Sequence, residues 1–188
     1  MDILKENISW MLVNVILAAL GVIFGWMFLN EKRSIFKIAL FLLWFAFVPN
    51  TIYLVTDIQY LGKQLFSVQP LIQIILILQY TVLMFLAITT YVYALYPFEK
   101  FLHSKFKKNS VLINYVLIIT NFLIAFGVAL GKIQRTQSWY VFTEPQRVLY
   151  DGFQAYDSST QMMFVIIFGI LINILYFGIR STVLKLKL

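Results

Sequence analysis

The 188-residue chain is 61% hydrophobic and only 12% charged, which lies outside the range of soluble domains and leaves no polar stretch long enough for a separate one. Its formal net charge of +7 does not indicate nucleic-acid binding, because the basic residues lie in short clusters beside apolar stretches. The chain contains no cysteine, which excludes disulfides, thiolate metal sites and a cysteine nucleophile.

Five apolar stretches follow one another along the chain, and each is about as long as the roughly 20 helical residues that cross a bilayer. We therefore predict an all-α fold, a polytopic membrane helix bundle that forms one domain over residues 1–188. The predicted transmembrane helices cover residues 8–29, 35–55, 71–96, 111–130 and 162–183.

The basic residues predict the orientation of this bundle, because positively charged loops are retained in the cytoplasm during insertion. An N-out, C-in topology places ten of them inside and five outside, and anionic lipid head groups suffice as partners for the inner clusters. The inner set is Lys32, Arg33, Lys37, Lys100, Lys105, Lys107, Lys108, Arg180, Lys185 and Lys187, and the outer set is Lys5, Lys63, Lys132, Arg135 and Arg147.

The second stretch carries the most informative local sequence, which begins at Pro49. A proline inside a helix removes an amide and clashes with the carbonyl four residues earlier, here that of Phe45, so we expect a kink whose free carbonyl Asn50 satisfies. At about 100° per residue, five polar and aromatic side chains then share one stripe that should face protein or a wet cleft. They are Asn50, Tyr53, Asp57, Tyr60 and Gln64.

Asp57 requires a partner, because an ionisable group at the membrane is costly. The topology places Lys132 and Arg135 on the same side. We expect Arg135 to be the partner, since its rigid fork can pair a carboxylate and still offer donors to a ligand, whereas Lys132 can snorkel to the head groups. No histidine or cysteine lies near Asp57 in the sequence, so no metal site and no cofactor are predicted.

The outer connection over residues 131–161 is the one long loop of this topology. Trp139, Tyr140 and Phe142 suit the membrane interface, and Pro145 predicts the start of a short helix that lies on the membrane. Within the spans, small residues and amides predict close helix packing and hydrogen bonds between helices. These residues are Gly21, Gly25, Gly127, Gly131, Asn14, Gln73, Gln79, Asn114, Asn121 and Asn173.

Two segments resemble a bacterial membrane family called domain of unknown function 1361. The first is FVPNTIYLVTD at residues 47–57, followed by Leu61, and the second is GKIQRTQSW at residues 131–139, closed by TEP at residues 143–145. The resemblance implies a multi-pass protein of the bacterial plasma membrane with its site at these motifs. The family often carries histidine where this chain has Tyr60, and aspartate where it has Tyr140.

These observations favour a non-enzymatic membrane subunit whose outer face binds a ligand or docks a partner. A substrate-capturing subunit of a transporter and a membrane enzyme acting on a lipid-linked or envelope substrate are the alternatives, the latter with Asp57 as base. The partners expected are the bilayer, another membrane protein or a second copy of the chain, and a lipid or small-molecule ligand, but no nucleic acid. The candidate site residues are Asn50, Tyr53, Thr56, Asp57, Arg135, Ser138 and Trp139.

Overall fold

The computed structural model describes residues 2–106 and 109–185, and all regular elements in these residues are helical. Five helices are long and apolar enough to cross a membrane, which confirms the predicted all-α membrane bundle. Lys107, Lys108 and Lys187, which the charge count placed inside, lie outside the described residues. The elements are α1 (Asp2–Asn30), α2 (Ser34–Tyr53), a 3-10 segment (Leu54–Ile58), α3 (Gln59–Leu65), α4 (Pro70–Lys105), α5 (Ser110–Ala129), a π-helical turn (Leu130–Gln134), α6 (Tyr140–Thr143), α7 (Pro145–Asp157) and α8 (Ser159–Lys185).

Two helical segments extend further than the apolar pattern predicts. The second candidate span runs over Ser34–Leu65, about ten residues beyond the predicted end, because the polar residues after Val55 find partners inside the protein instead of ending the helix. The third passes through the buried Pro97 and ends at Lys105, where residue 96 was predicted as its end. The predicted ends were wrong because the apolar pattern of the sequence stops before the helix ends.

Glycines bring α1 against α2 and α4. A Cβ atom on Gly21 would lie 3.0 Å from the Phe47 carbonyl oxygen, and one on Gly25 would lie 3.0 Å from that of Ala94. Both contacts are made within one chain, which confirms that these glycines serve intrachain packing. At the same level the buried Trp44 donates its indole N–H to the Ala94 carbonyl at 2.8 Å.

Amide and hydroxyl groups join α4, α5 and α8 in the centre of the bundle. The Tyr91 hydroxyl donates to Asn121 Oδ1 at 2.7 Å, and Asn121 Nδ2 donates to Asn173 Oδ1 at 2.9 Å. This confirms the predicted hydrogen bonds of Asn121 and Asn173 between helices. Polar groups of this kind must be satisfied within the protein, because hydrocarbon offers no partners.

Long-range contacts show which residues lie at each of the two ends of the bundle. Asn7 and Gln64 exchange two hydrogen bonds of 2.9 Å, so the start of α1 lies beside α3 at the end that also holds the long connection after α5. At the opposite end Glu99 pairs with Arg180 and accepts a hydrogen bond from the Tyr176 hydroxyl. We call the first of these the loop end. That the loop end faces outward stays a prediction.

We expect Gly25→Val to lower the stability of the bundle by about 1–3 kcal/mol, since the added carbons would press on the Ala94 backbone and on Trp44. Gly178→Val is the matched control, because a Cβ atom at Gly178 meets nothing within 4 Å. Thermal unfolding in detergent measures both. Equal shifts of the melting temperature would contradict this account of α1 packing.

Candidate functional site

The site begins where Pro49 interrupts the hydrogen bonding of α2. Asn50 Nδ2 donates to the Phe47 carbonyl oxygen at 2.9 Å and to Ser138 Oγ at 2.8 Å. The prediction that Asn50 satisfies the carbonyl of Phe45 was wrong, because Asn50 bonds to the carbonyl of Phe47 instead. The reason is reach, because the short Asn side chain returns three residues along its own helix. Its second bond ties the long loop to α2.

Asp57 lies in the 3-10 segment that follows α2 and is only 2% exposed. Its Oδ1 accepts a hydrogen bond from Lys132 Nζ at 2.9 Å, and its Oδ2 accepts one from Asn14 Nδ2 at 3.2 Å. The carboxylate thereby joins α1, the second span and the end of the fourth. The ion-pair partner is Lys132, so the expectation that Arg135 holds Asp57 was wrong. The flexible Lys132 stem reaches inward to the carboxylate.

The ammonium group of Lys132 packs against two aromatic rings. Its Nζ is 4.6 Å from the ring centroid of Tyr60 and 5.2 Å from that of Tyr53. A cation over the face of an aromatic ring is attracted to its negative centre, and the attraction grows when water is excluded. The carboxylate and the two rings together compensate the charge of a lysine side chain that is 11% exposed.

Arg135 follows the π-helical turn in a left-handed backbone conformation, with φ 60° and ψ 27°. It is the one non-glycine residue with a positive φ among those the structure describes. This conformation costs about 1–2 kcal/mol for a residue with a Cβ atom. No carboxylate in residues 2–106 or 109–185 lies within ion-pairing distance of the Arg135 guanidinium.

Asp57, Arg135 and the two tyrosines line a cavity of about 410 Å³ at the loop end, which we call the polar cavity. The whole predicted stripe lines it, and this confirms that the stripe faces a cleft within the protein. Helix α1 adds Trp10 and Asn14, and the loop adds Arg135 and Gln137. The stripe residues are Asn50, Tyr53, Asp57, Tyr60 and Gln64.

The predicted site residues divide into three groups. Asn50, Tyr53, Asp57 and Arg135 line the polar cavity, whereas Ser138 bonds to Asn50 but does not line the cavity itself.

Thr56 and Trp139 do not line the polar cavity. The Thr56 hydroxyl donates to the Tyr53 carbonyl at 2.7 Å, so it is used within its own helix. Trp139 is 41% exposed and packs edge-on against Tyr140. The candidate site predicted from the sequence did not include Trp10. The signal that could have found it is Asn14, because an amide in an apolar span points to α1 as part of the site.

The loop that closes the site folds into short helices. Helix α7 starts at Pro145, as predicted, and its Asp151 accepts a hydrogen bond of 2.6 Å from the Thr136 hydroxyl next to Arg135. The opposite side of α7 exposes large apolar and aromatic side chains, which suits an interfacial helix. They are Leu149, Tyr150, Phe153 and Tyr156.

A family model described as Protein of unknown function (DUF1361) matches residues 13–175. The chain belongs to this family. The DUF1361 match confirms the resemblance of the two motifs and covers every residue named here at the polar cavity except Trp10. No curated protein and no solved structure matches the chain. The family description assigns no activity. What the cavity of this DUF1361 protein can bind must therefore be inferred from its geometry.

We expect Lys132→Met to destabilise the protein by about 3 kcal/mol, because it leaves the Asp57 carboxylate buried without its ion-pair partner. Adding Asp57→Asn to this variant removes the unpaired charge and should recover much of the loss. Unfolding in mixed detergent micelles measures the free energies of the double-mutant cycle. Additive losses in the double variant would show that the two side chains are not coupled.

Proposed function

We propose that this DUF1361 protein is a non-enzymatic subunit of the bacterial plasma membrane that binds a small ligand in the polar cavity. The observation that carries the proposal is a charged, aromatic-lined cavity of about 410 Å³ at the loop end of the bundle. Its volume lies in the range of about 300–1,000 Å³ that is usual for ligand pockets. Its amide, hydroxyl and guanidinium groups offer directional hydrogen bonds.

The charges of the site support binding of a ligand with an acidic group. Asp57 and Lys132 neutralise one another at 2.9 Å, whereas Arg135 has no carboxylate partner among the described residues. A guanidinium presents two parallel N–H donors that match carboxylate or phosphate oxygens. The left-handed backbone of Arg135 supports this role, because strained conformations concentrate at ligand sites.

The same ion pair weighs against the enzyme alternative. Each Asp57 oxygen accepts a hydrogen bond, one from Lys132 and one from Asn14. A general base needs an oxygen that reaches the substrate proton. Both Asp57 oxygens link α1 and the end of the fourth span to the second span, and this arrangement favours a structural role for Asp57.

Asp57→Asn should weaken ligand binding, since it releases Lys132 and the rings of Tyr53 and Tyr60 that line the cavity. Native mass spectrometry of protein extracted gently from its own membrane measures the bound molecule. Asp157→Asn makes the same chemical change at an exposed carboxylate and should retain the ligand. Retention of the ligand by the Asp57 variant at the wild-type level would sink the proposed site.

Arg135→Gly separates binding from folding. Glycine adopts a positive φ without cost, so this variant should match or exceed the wild type in stability by about 1 kcal/mol. It also removes the guanidinium and should therefore lose the ligand. A variant that unfolds at lower temperature than the wild type would instead identify Arg135 as a structural residue of the loop.

A further inference from the structure

A second space, which we call the apolar cleft, adjoins the polar cavity between α2 and α5. It has a volume of about 200 Å³ and is lined mainly by aromatic and aliphatic side chains from both helices and from the loop. Phe45, Leu123 and Val141 are examples, with 39%, 49% and 43% of their surfaces exposed. Because α2 and α5 belong to membrane-spanning segments, a cleft with such exposed walls opens toward hydrocarbon.

The polar cavity and the apolar cleft share one wall, made of Pro49, Gly127 and Gln137. The two helices touch there, since a Cβ atom on Gly127 would lie only 2.7 Å from Pro49 Cγ. Gln137 belongs to the loop and lines both spaces. Across this narrow boundary the lining changes from amides, hydroxyls and charges to hydrocarbon.

The depth of the two spaces matches the two parts of a lipid. The polar cavity lies at the loop end, where the second and fourth spans finish at Leu65 and Gln134, which is the level of head groups. From the shared residues Pro49 and Gly127, the apolar cleft reaches back to Phe45 and Leu123, about one helical turn along the same spans. A molecule that fills both therefore carries a polar group at the membrane surface and an apolar chain toward its centre.

The charges of the polar cavity indicate which kind of polar group it can bind. The Asp57–Lys132 pair is neutral as a unit, and the Arg135 guanidinium adds one positive charge that no described carboxylate pairs. Phosphate oxygens accept its paired donors, and the Tyr60 hydroxyl and the Gln137 amide line the same space. A zwitterionic head group would bring its own cation to a site that already has an excess cation.

We infer that the ligand is an anionic lipid, with its phosphate against Arg135 in the polar cavity and one acyl chain in the apolar cleft beside Phe45 and Leu123. This inference rests on the proposed function and adds the class of ligand. The occupant of the cleft is the chain of the lipid whose head group fills the cavity, because the two spaces adjoin and the loop residue Gln137 lines both of them.

The test uses the full chain in nanodiscs that contain equal amounts of phosphatidylglycerol and phosphatidylcholine, released into a native mass spectrometer. The wild type should retain one phosphatidylglycerol in preference to phosphatidylcholine. Arg135→Gln should reduce this retention about tenfold or more, the loss typical of a hydrogen bond to a charged group. Equal retention of the two lipids by the wild type would overturn the inference.

Two tryptophan variants test whether the acyl chain of the lipid occupies the apolar cleft. Leu123→Trp fills the apolar cleft and should reduce retention of phosphatidylglycerol about as much as Arg135→Gln. Ile119 lies one turn away on the same helix, is 58% exposed and does not line the cleft. The control variant Ile119→Trp should therefore retain the lipid. Equal retention by both tryptophan variants would remove the cleft from the site.

Glycerol phosphate, which has the head group without the chains, separates this inference from the proposed function. It should fail to raise the melting temperature of the detergent-solubilised protein at concentrations where short-chain phosphatidylglycerol does. If glycerol phosphate stabilises the wild type equally, and Arg135→Gln abolishes this, the cavity binds a soluble anion, so the proposed function stands and the lipid inference falls. If neither compound stabilises the wild type, the lipid inference also falls.

Discussion

The buried ion pair between Asp57 and Lys132 is the constraint on which the loop end of this bundle depends. A carboxylate that is 2% exposed in a membrane protein must be compensated within the chain, because neither hydrocarbon nor bulk water is available to it. The groups that compensate its charge hold three segments together, because Asn14 on α1 and Lys132 after α5 both bond to Asp57 in the 3-10 segment. The rings of Tyr53 and Tyr60 then both pack against the ammonium group. The walls of the polar cavity follow from these contacts.

This pairing also determines what the cavity can bind. Had Arg135 held Asp57, Lys132 would be the cation without a carboxylate partner, and the excess charge would lie on an ammonium group instead of on a guanidinium with paired donors. With Lys132 in that place, Arg135 keeps an uncompensated charge at the cavity, at the cost of a left-handed backbone conformation. Tyr60 gives Lys132 the face of an aromatic ring at 4.6 Å.

Periodic features of the fold could be predicted from the sequence, and features set by irregular backbone could not. Apolar runs revealed five spans, the α-helical period identified the stripe that lines the cavity, and Pro145 marked the start of α7. The choice between Lys132 and Arg135 depends on a π-helical turn and a left-handed residue, which no α-helical spacing anticipates. The part played by Trp10 and Asn14 depends on which helices are neighbours. Amides appear in several spans, and the sequence does not say which of them meet.

The most direct test of the account is a crystal structure of the protein purified from its own membrane with no lipid added. We predict continuous electron density that begins at the Arg135 guanidinium in the polar cavity, crosses beside Gln137 and continues as an unbranched chain between Phe45 and Leu123. Density for water alone in the cavity, together with a cleft closed by its own side chains, would contradict the account. That result would leave the Asp57–Lys132 pair as a structural link between helices and Arg135 without a ligand.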